Sequence, residues 1–556
     1  MFKINRIITL LFVLSLLAAP AYAQPPTLDD RIAAMTLEQR VGQMFIATLH
    51  GSVLTEVGRD FLQRWQPGGL VLFTSNITTP EGITALTNSY QQTMLDTGGV
   101  PLLIAVDQEG GLVQRLAEGF TQLPGPLILT AASTTDATSN VGAMVAEELR
   151  AVGINMNLAP VADLETNLDN PIIFRRSFGN DPQVAGEAIA AYVRGLQDNG
   201  VLATLKHFPG HGDTREDSHG ELPVVRLDRE RLQTVEIAAF QPAIETGAEA
   251  VLVAHIWYSA LEPQPGIPAS LSHPIVSGIL RGELGHTGIA MTDAIDMSAV
   301  DLNFSYEQAA LMAVNAGLDI ITAGPSINLD IQERMMQAVL DAVRSGSIPE
   351  ERINESVRRI LDIKARYGLF DWQSLEVGSA TQRVNAEAHA AVIDELFRAG
   401  TTVAYDRNNL LPLSEDRSTA IIFLATRYQI QQECSQYAQN VRWVGVSDNP
   451  SQDEIGWARE AANASDVAVV FTQNAYNTPE QQALVNALPA EKTVAVAIVS
   501  PYDWRAYPNV AAFVATYSPM RPAVPAACAV LVGAIPAQGQ LAVTLAPELP
   551  AGSRVQ

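Results

Sequence analysis

The chain has 556 residues, 47% of them hydrophobic and 17% charged, enough apolar material for two or more domains with their own cores and too much for a disordered polymer. Its formal net charge of −25 argues against nucleic acid and anionic membrane surfaces as partners, since both repel an acidic protein. A small neutral substrate is the expectation.

The first residues carry Lys3 and Arg6, an apolar run over 7–19 and then Ala21-Tyr22-Ala23. This is the charged region, hydrophobic region and small-residue cleavage site of a secretory signal, with cleavage expected after Ala23. The apolar run is short for a bilayer span, and no cysteine follows the cleavage site to take a lipid. The mature protein is therefore expected to be exported, periplasmic or extracellular, with no stable membrane insertion once the signal is removed.

From about 28 to 370, strand-length apolar runs recur at 44–47, 69–73, 102–106, 154–158, 202–205, 250–254, 288–291 and 318–322, with amphipathic helices such as 139–152 and 182–199 between them. Strands apolar on both faces and alternating with helices indicate a parallel sheet, and about eight such units predict a closed (β/α)8 barrel of the TIM type. Asp107, Asp163, Lys206-His207, His255 and Asp293 each fall at or just after the C-terminal end of a different predicted strand. In barrels that face carries the active site, so these scattered residues are expected to converge.

A helix beginning with Pro349 as its first residue and running to Tyr367 closes the domain, and the polar stretch 371–385 reads as a linker. Over 386–556, further runs at 402–404, 420–424, 443–446, 467–471, 494–499 and 512–515 alternate with helices and predict a doubly wound α/β sandwich. It lacks the glycine fingerprint of a dinucleotide site. The two cysteines, Cys434 and Cys528, could pair in an exported protein, but Cys528 lies in an Ala-Val-Leu helical stretch where a buried free thiol is the ordinary outcome. No Cys/His cluster has metal-ligand spacing.

The densest chemistry lies in Lys206-His207-Phe208-Pro209-Gly210-His211-Gly212 and the following Asp217-Ser218-His219. Three histidines, a lysine and two aspartates in a glycine- and proline-broken loop after a strand read as an active-site loop, with a histidine whose proton affinity a neighbouring carboxylate tunes. Asp293 is the leading candidate nucleophile because it lies just past its strand; Asp296, about one turn on, is its rival and could instead cap or pair with the next helix. Asp107 precedes Glu109-Gly110-Gly111, where the glycines allow a tight turn beneath a ligand. Arg115 and Arg176 are rim donors or, equally, surface ion-pair partners.

Taken together, Lys206–Gly212 with Asp217-Ser218-His219, Asp107-Gln108-Glu109-Gly110-Gly111, Arg176-Ser177-Phe178-Gly179, His255 and Thr292-Asp293 closely resemble the β-N-acetylglucosaminidases of glycoside hydrolase family 3, over essentially the whole mature chain. The resemblance implies Asp293 as nucleophile and His219 as general acid/base, oriented by Asp217. It implies that Asp107, Arg115, Arg176, Lys206 and His207 bind the terminal N-acetylglucosamine, that His255 lines the pocket, and that no metal or organic cofactor is needed. It implies a retaining exo-enzyme acting on cell-wall muropeptides or chito-oligosaccharides. The family often has Arg where this chain has Leu112. The glycine- and proline-rich segment suggests that the histidine rides on a mobile loop. A phosphorylase, which would use phosphate in the second step, and a sugar-binding protein without turnover are the rival readings.

Overall fold

The computed structural model describes residues 26–555 except 174, 219 and 437–439; the signal expected over 1–23 lies outside the described residues. Eight parallel strands close a barrel in chain order: β1 (Phe45–Ala47), β2 (Gly69–Leu72), β3 (Leu103–Val106), β4 (Met156–Asn157), β5 (Leu202–Phe208), β6 (Ala250–Val253), β7 (Ile289–Ala294) and β8 (Ile320–Thr322). Phe45 pairs with Ile321 to seal the ring. Each of the eight expected apolar runs supplies one strand. They pair because valine, isoleucine and leucine side chains bury on both faces, inward to fill the barrel and outward beneath the helices.

β5 is longer than its apolar run suggests. It continues through Lys206 and His207 to Phe208, all buried, because both polar side chains find ionic or hydrogen-bonding partners inside. The Lys206–His207 and Phe208–Pro209 peptide bonds are cis. The closing helix spans Glu350–Arg366, with Pro349 as its N-cap at φ −62° and ψ 135°, one position earlier than the sequence suggests.

The second sheet has six strands: β9 (Thr402–Asp406), β10 (Thr419–Leu424), β11 (Val441–Val446), β12 (Val467–Thr472), β13 (Thr493–Ala497) and β14 (Ala512–Ala515). Their order is β9-β14-β13-β12-β10-β11. All neighbours are parallel except β9, which runs antiparallel to β14. Cys434 and Cys528 form a disulfide, with Sγ atoms 1.91 Å and Cα atoms 5.0 Å apart. The free buried thiol expected at Cys528 is thus overturned: packing of the helices Gln429–Cys434 and Ala523–Leu531 brings together two positions 94 residues apart. Among the described residues, no helix is long and apolar enough to cross a membrane.

The sandwich sits against the barrel's C-terminal rim. Asn180, after β4, exchanges hydrogen bonds with the backbone of Thr544 at 2.7 and 3.1 Å. Tyr502 donates to the Glu165 carboxylate at 2.9 Å. A Cβ on Gly179 would lie 2.4 Å from the Ala542 carbonyl oxygen, so a side chain there would push the two bodies apart.

Candidate active site

The C-terminal ends of β3, β4, β5, β6 and β7 deliver one connected polar network. Lys206 Nζ lies 2.7 Å from Asp107 Oδ1 and 2.6 Å from Glu109 Oε1. Glu109 also takes a two-pronged pair of hydrogen bonds from Arg176 Nε and Nη2, each 2.8 Å. Burial of Glu109 would raise its proton affinity, but Lys206 and Arg176 outweigh it and hold the carboxyl at about 2. Burial likewise opposes the Lys206 charge and is overcome by Asp107 and Glu109. The result is a fixed ammonium in a low-dielectric strand end, with Asp107 mostly buried but partly open beside it, an arrangement that suits a polar but uncharged ligand.

His207 is oriented from behind. Its Nδ1 lies 2.6 Å from Asp163 Oδ2, while Asp163 Oδ1 accepts the backbone N–H groups of His207 at 3.1 Å and His211 at 2.7 Å. Asp163 is wholly buried, which works against its charge, yet His207 and His211 hold it below the ordinary carboxylate range. With Nδ1–H donated to Asp163, Nε2 is the nitrogen available to a ligand. His211 plays a different part. Its ring spans Thr214 Oγ1 at 2.9 Å and Ser218 Oγ at 3.1 Å, and burial with the neighbouring His207 lowers it to about 4, so it stays neutral and ties the base of the loop. Asn170 adds donors to the carbonyls of His211, Gly212 and Thr214. A Cβ on Gly212 would lie 1.7 Å from the Leu164 carbonyl oxygen; only glycine lets the loop pass there.

Asp293 is the penultimate residue of β7, half-buried, with Oδ1 accepting its neighbour Ala294 N–H at 2.7 Å. Burial would neutralise it, but His207, His255, that N–H and Lys206 together keep it ionised below the usual range. An anionic oxygen lightly engaged by protein at a barrel mouth is suited to attack an electrophilic carbon. The rival Asp296 lies two residues beyond the strand: its Oδ2 accepts the Ser326 N–H at 2.7 Å, pinning the loop after β8, while its Oδ1 is shut in against Gly324 without a hydrogen-bond partner. His255 is buried behind Asp293. Its Nε2 donates to the Ala294 carbonyl at 3.0 Å and its Nδ1 accepts from Ser270 Oγ at 2.6 Å, and burial lowers its proton affinity. It braces the end of β7.

The expected residues are therefore not all equivalent. Asp107, Lys206, His207 and Asp293 converge. Arg176 belongs to the network, but two of its donors are committed to Glu109 rather than free at a rim. Arg115, just after the short hairpin formed by Gln108–Gly110 and Val113–Gln114, is exposed and joins no ion pair of the network. Asp217 is exposed and its carbonyl accepts the N–H groups of Gly220 and Glu221; His219 lies outside the described residues. Asp163, expected at this face without a stated role, joins the network as the partner of His207, and Glu109 is the member to which the sequence gave no part. Both carried a signal, a second carboxylate two residues past Asp107 and an aspartate at a strand end. Among the described residues, no group of three or more His, Cys, Asp or Glu side chains is set to hold a metal ion.

Against known proteins, residues 36–363 match the glycosyl hydrolase family 3 N-terminal domain. A beta-hexosaminidase A of Pseudoalteromonas piscicida is 30% identical over 447 residues, covering 76% of this chain and 73% of that protein. The structure of a glycoside hydrolase family 3 beta-N-acetylglucosaminidase from Paenibacillus sp. str. FPU-7 superposes with a TM-score of 0.71 at 34% identity, covering 92% of this chain and 99% of that one. A beta-glucoside phosphorylase BglX shares the fold with a TM-score of 0.73 at 22% identity, covering 93% and 95%. With its barrel, its strand-end carboxylates and this match over more than half its length, the chain belongs to glycoside hydrolase family 3.

Proposed function

We propose that the protein is a retaining exo-β-N-acetylglucosaminidase. The observation that carries this reading is the ionised, lightly bonded Asp293 beside Lys206, Asp107 and the oriented His207. In the first step the Asp293 carboxylate attacks the anomeric carbon of a terminal β-linked N-acetylglucosamine while His219, assisted by Asp217, gives its proton to the departing oxygen. The bond to the leaving group breaks as the ester to Asp293 forms. In the second step His219 takes a proton from water, whose oxygen displaces Asp293 and restores the β configuration. A histidine suits both halves close to neutral pH, since its ordinary proton affinity lies near 6.5. Asp107, Lys206 and His207 hold the sugar hydroxyls.

Muropeptides or chito-oligosaccharides are the substrates and peptidoglycan turnover the setting. The N-terminal signal-like run and the Cys434–Cys528 disulfide, a bond of oxidising compartments, support export. The second reading is phosphorolysis, because an uncharged histidine base repels arriving phosphate less than a carboxylate does. Proton NMR of the first-formed product in phosphate buffer separates the two. Free β-N-acetylglucosamine is expected; sugar 1-phosphate as the main product would replace hydrolysis with phosphorolysis, and initial release of the α-anomer would remove the double displacement.

A further inference from the structure

The stretch from Arg215 to Glu221 runs along the surface, and Ser218 is its one buried member among the described residues, 3% exposed. Two fastenings hold it there. Its Oγ lies 3.1 Å from His211 Nε2, in the loop that leaves β5, and its carbonyl accepts the Ala299 N–H at 3.2 Å. Ala299 belongs to the short helix Ser298–Asp301, which follows β7, the strand carrying Asp293. The direction of the side-chain bond follows from the other partners of the ring. Thr214 donates its hydroxyl proton to the His211 carbonyl at 3.1 Å, so its Oγ1 accepts from His211 Nδ1 at 2.9 Å. His211 is neutral, its proton affinity lowered to about 4 by burial and by His207. That leaves Nε2 as an acceptor, and the Ser218 hydroxyl is the donor. The opposite assignment would leave the buried Ser218 proton with no acceptor among the described residues. The ring is itself fixed through its backbone, since the His211 N–H is one of the two that Asp163 Oδ1 accepts.

Resting on the exo-glycosidase reading, we propose that Ser218 is the positioning residue of the acid/base pair, pinning the segment that carries Asp217 and His219 to the β5 loop through His211 and to the β7 loop through Ala299. Ser218 is bonded covalently to both members of the pair, so whatever fixes it limits where they can travel. The sugar pocket and the pin share one foundation. A single buried carboxylate, Asp163, orients the His207 ring and fixes the backbone of His211, which receives the Ser218 hydroxyl. Nucleophile and proton donor are tied as well, because the Ser218 carbonyl is held by the segment that leaves Asp293. Both fastenings are neutral hydrogen bonds, weak enough to break during turnover and strong enough to bias a loop toward one station. Proton donation falls steeply when the donor is misplaced, so Ser218 governs the first step without exchanging a proton itself.

The discriminating measurement is kcat/KM, which reports the first step, for two substrates of the full-length protein. One is chitobiose, whose sugar leaving group needs protonation; the other is a dinitrophenyl N-acetylglucosaminide, whose leaving group needs little. Wild type is compared with Ser218→Ala, His211→Leu and the double variant. Ser218→Ala is expected to lower the chitobiose-to-dinitrophenyl ratio about tenfold, part of the roughly hundredfold or larger contribution of a positioned acid. His211→Leu is expected to lower it at least as much, and the double variant no further than His211→Leu alone, since both break the same bond. Loss of folded protein scales both substrates equally and cancels in the ratio, so poor folding of His211→Leu does not imitate the effect. A ratio within twofold of wild type in Ser218→Ala, or losses in the single variants that multiply in the double, overturns the proposal while leaving the glycosidase intact. A wild type that turns over neither substrate removes the glycosidase reading itself, and the role of Ser218 with it.

Discussion

The two ends of the barrel hold buried charge in opposite ways. At the N-terminal end, Asp319 sits just before β8, wholly buried, and all its acceptor capacity is used: Oδ2 takes Arg281 and the Ala290 N–H, and Oδ1 takes Ser356 at 2.6 Å and Arg359 at 3.0 Å. At the C-terminal end, Asp293 stands next to last in the adjacent strand β7 and, among the described residues, accepts one hydrogen bond, from its own neighbour's N–H. The two aspartates differ in satisfaction, not in burial of the surrounding strands. A saturated carboxylate fastens helix to barrel; a carboxylate kept ionised by His207, His255 and Lys206 without being consumed by them can still react. Buried charge alone does not mark a catalytic centre. Unspent bonding capacity at a strand's C-terminal end does.

That contrast breaks most sharply at Asp293. Asp293→Ala is expected to lower kcat on an aryl N-acetylglucosaminide on the order of 10⁴-fold or more while leaving the thermal midpoint near wild type. Near-normal turnover would erase the distinction between the two ends. The mirror experiment is Asp319→Asn, which strands Arg281 and Arg359 around a neutral side chain. It should cost about 3–5 kcal/mol, the usual penalty for removing one partner of a buried ion pair, as measured by urea denaturation, with turnover per folded molecule close to wild type. A stable but inactive Asp319→Asn enzyme would place chemistry at the wrong end.

A smaller effect sharpens the comparison at the domain seam. Burial pushes Glu165 up to about 8, against the hydrogen bond from Tyr502 and the charge of Arg505. A carboxyl raised in the folded state contributes fully below its unfolded value near 4.5, and that contribution is lost as pH rises through about 8. Wild-type stability should therefore fall between those pH values by on the order of a few kcal/mol from this group, and Glu165→Gln should flatten the slope. Identical pH profiles for the two proteins would mean that Glu165 ionises freely in the folded state.

Much of the architecture was legible because barrel strands are written as uninterrupted apolar runs, and all eight runs became strands. The reactive end was legible for the same reason: Lys206, His207 and Asp293 follow directly on such runs. What could not be read was how those groups are held. Glu109 lies two residues past Asp107 on a hairpin whose glycines aim it at Lys206 and Arg176, a three-loop encounter with no local signature. The commitment of Arg176 to Glu109, the exposure of Arg115 and the pairing of Cys434 with Cys528 are likewise products of packing between distant segments. His255 could be placed at a strand end, but its role bracing Ala294 depends on Ser270, contributed by a separate turn.

The most direct test of the account is to trap the sugar on the enzyme with a slowly deglycosylated substrate analogue and map the labelled peptide by mass spectrometry. One sugar-ester adduct is expected, on Asp293. An adduct on Asp296, or turnover that proceeds with no covalent intermediate at all, would contradict it.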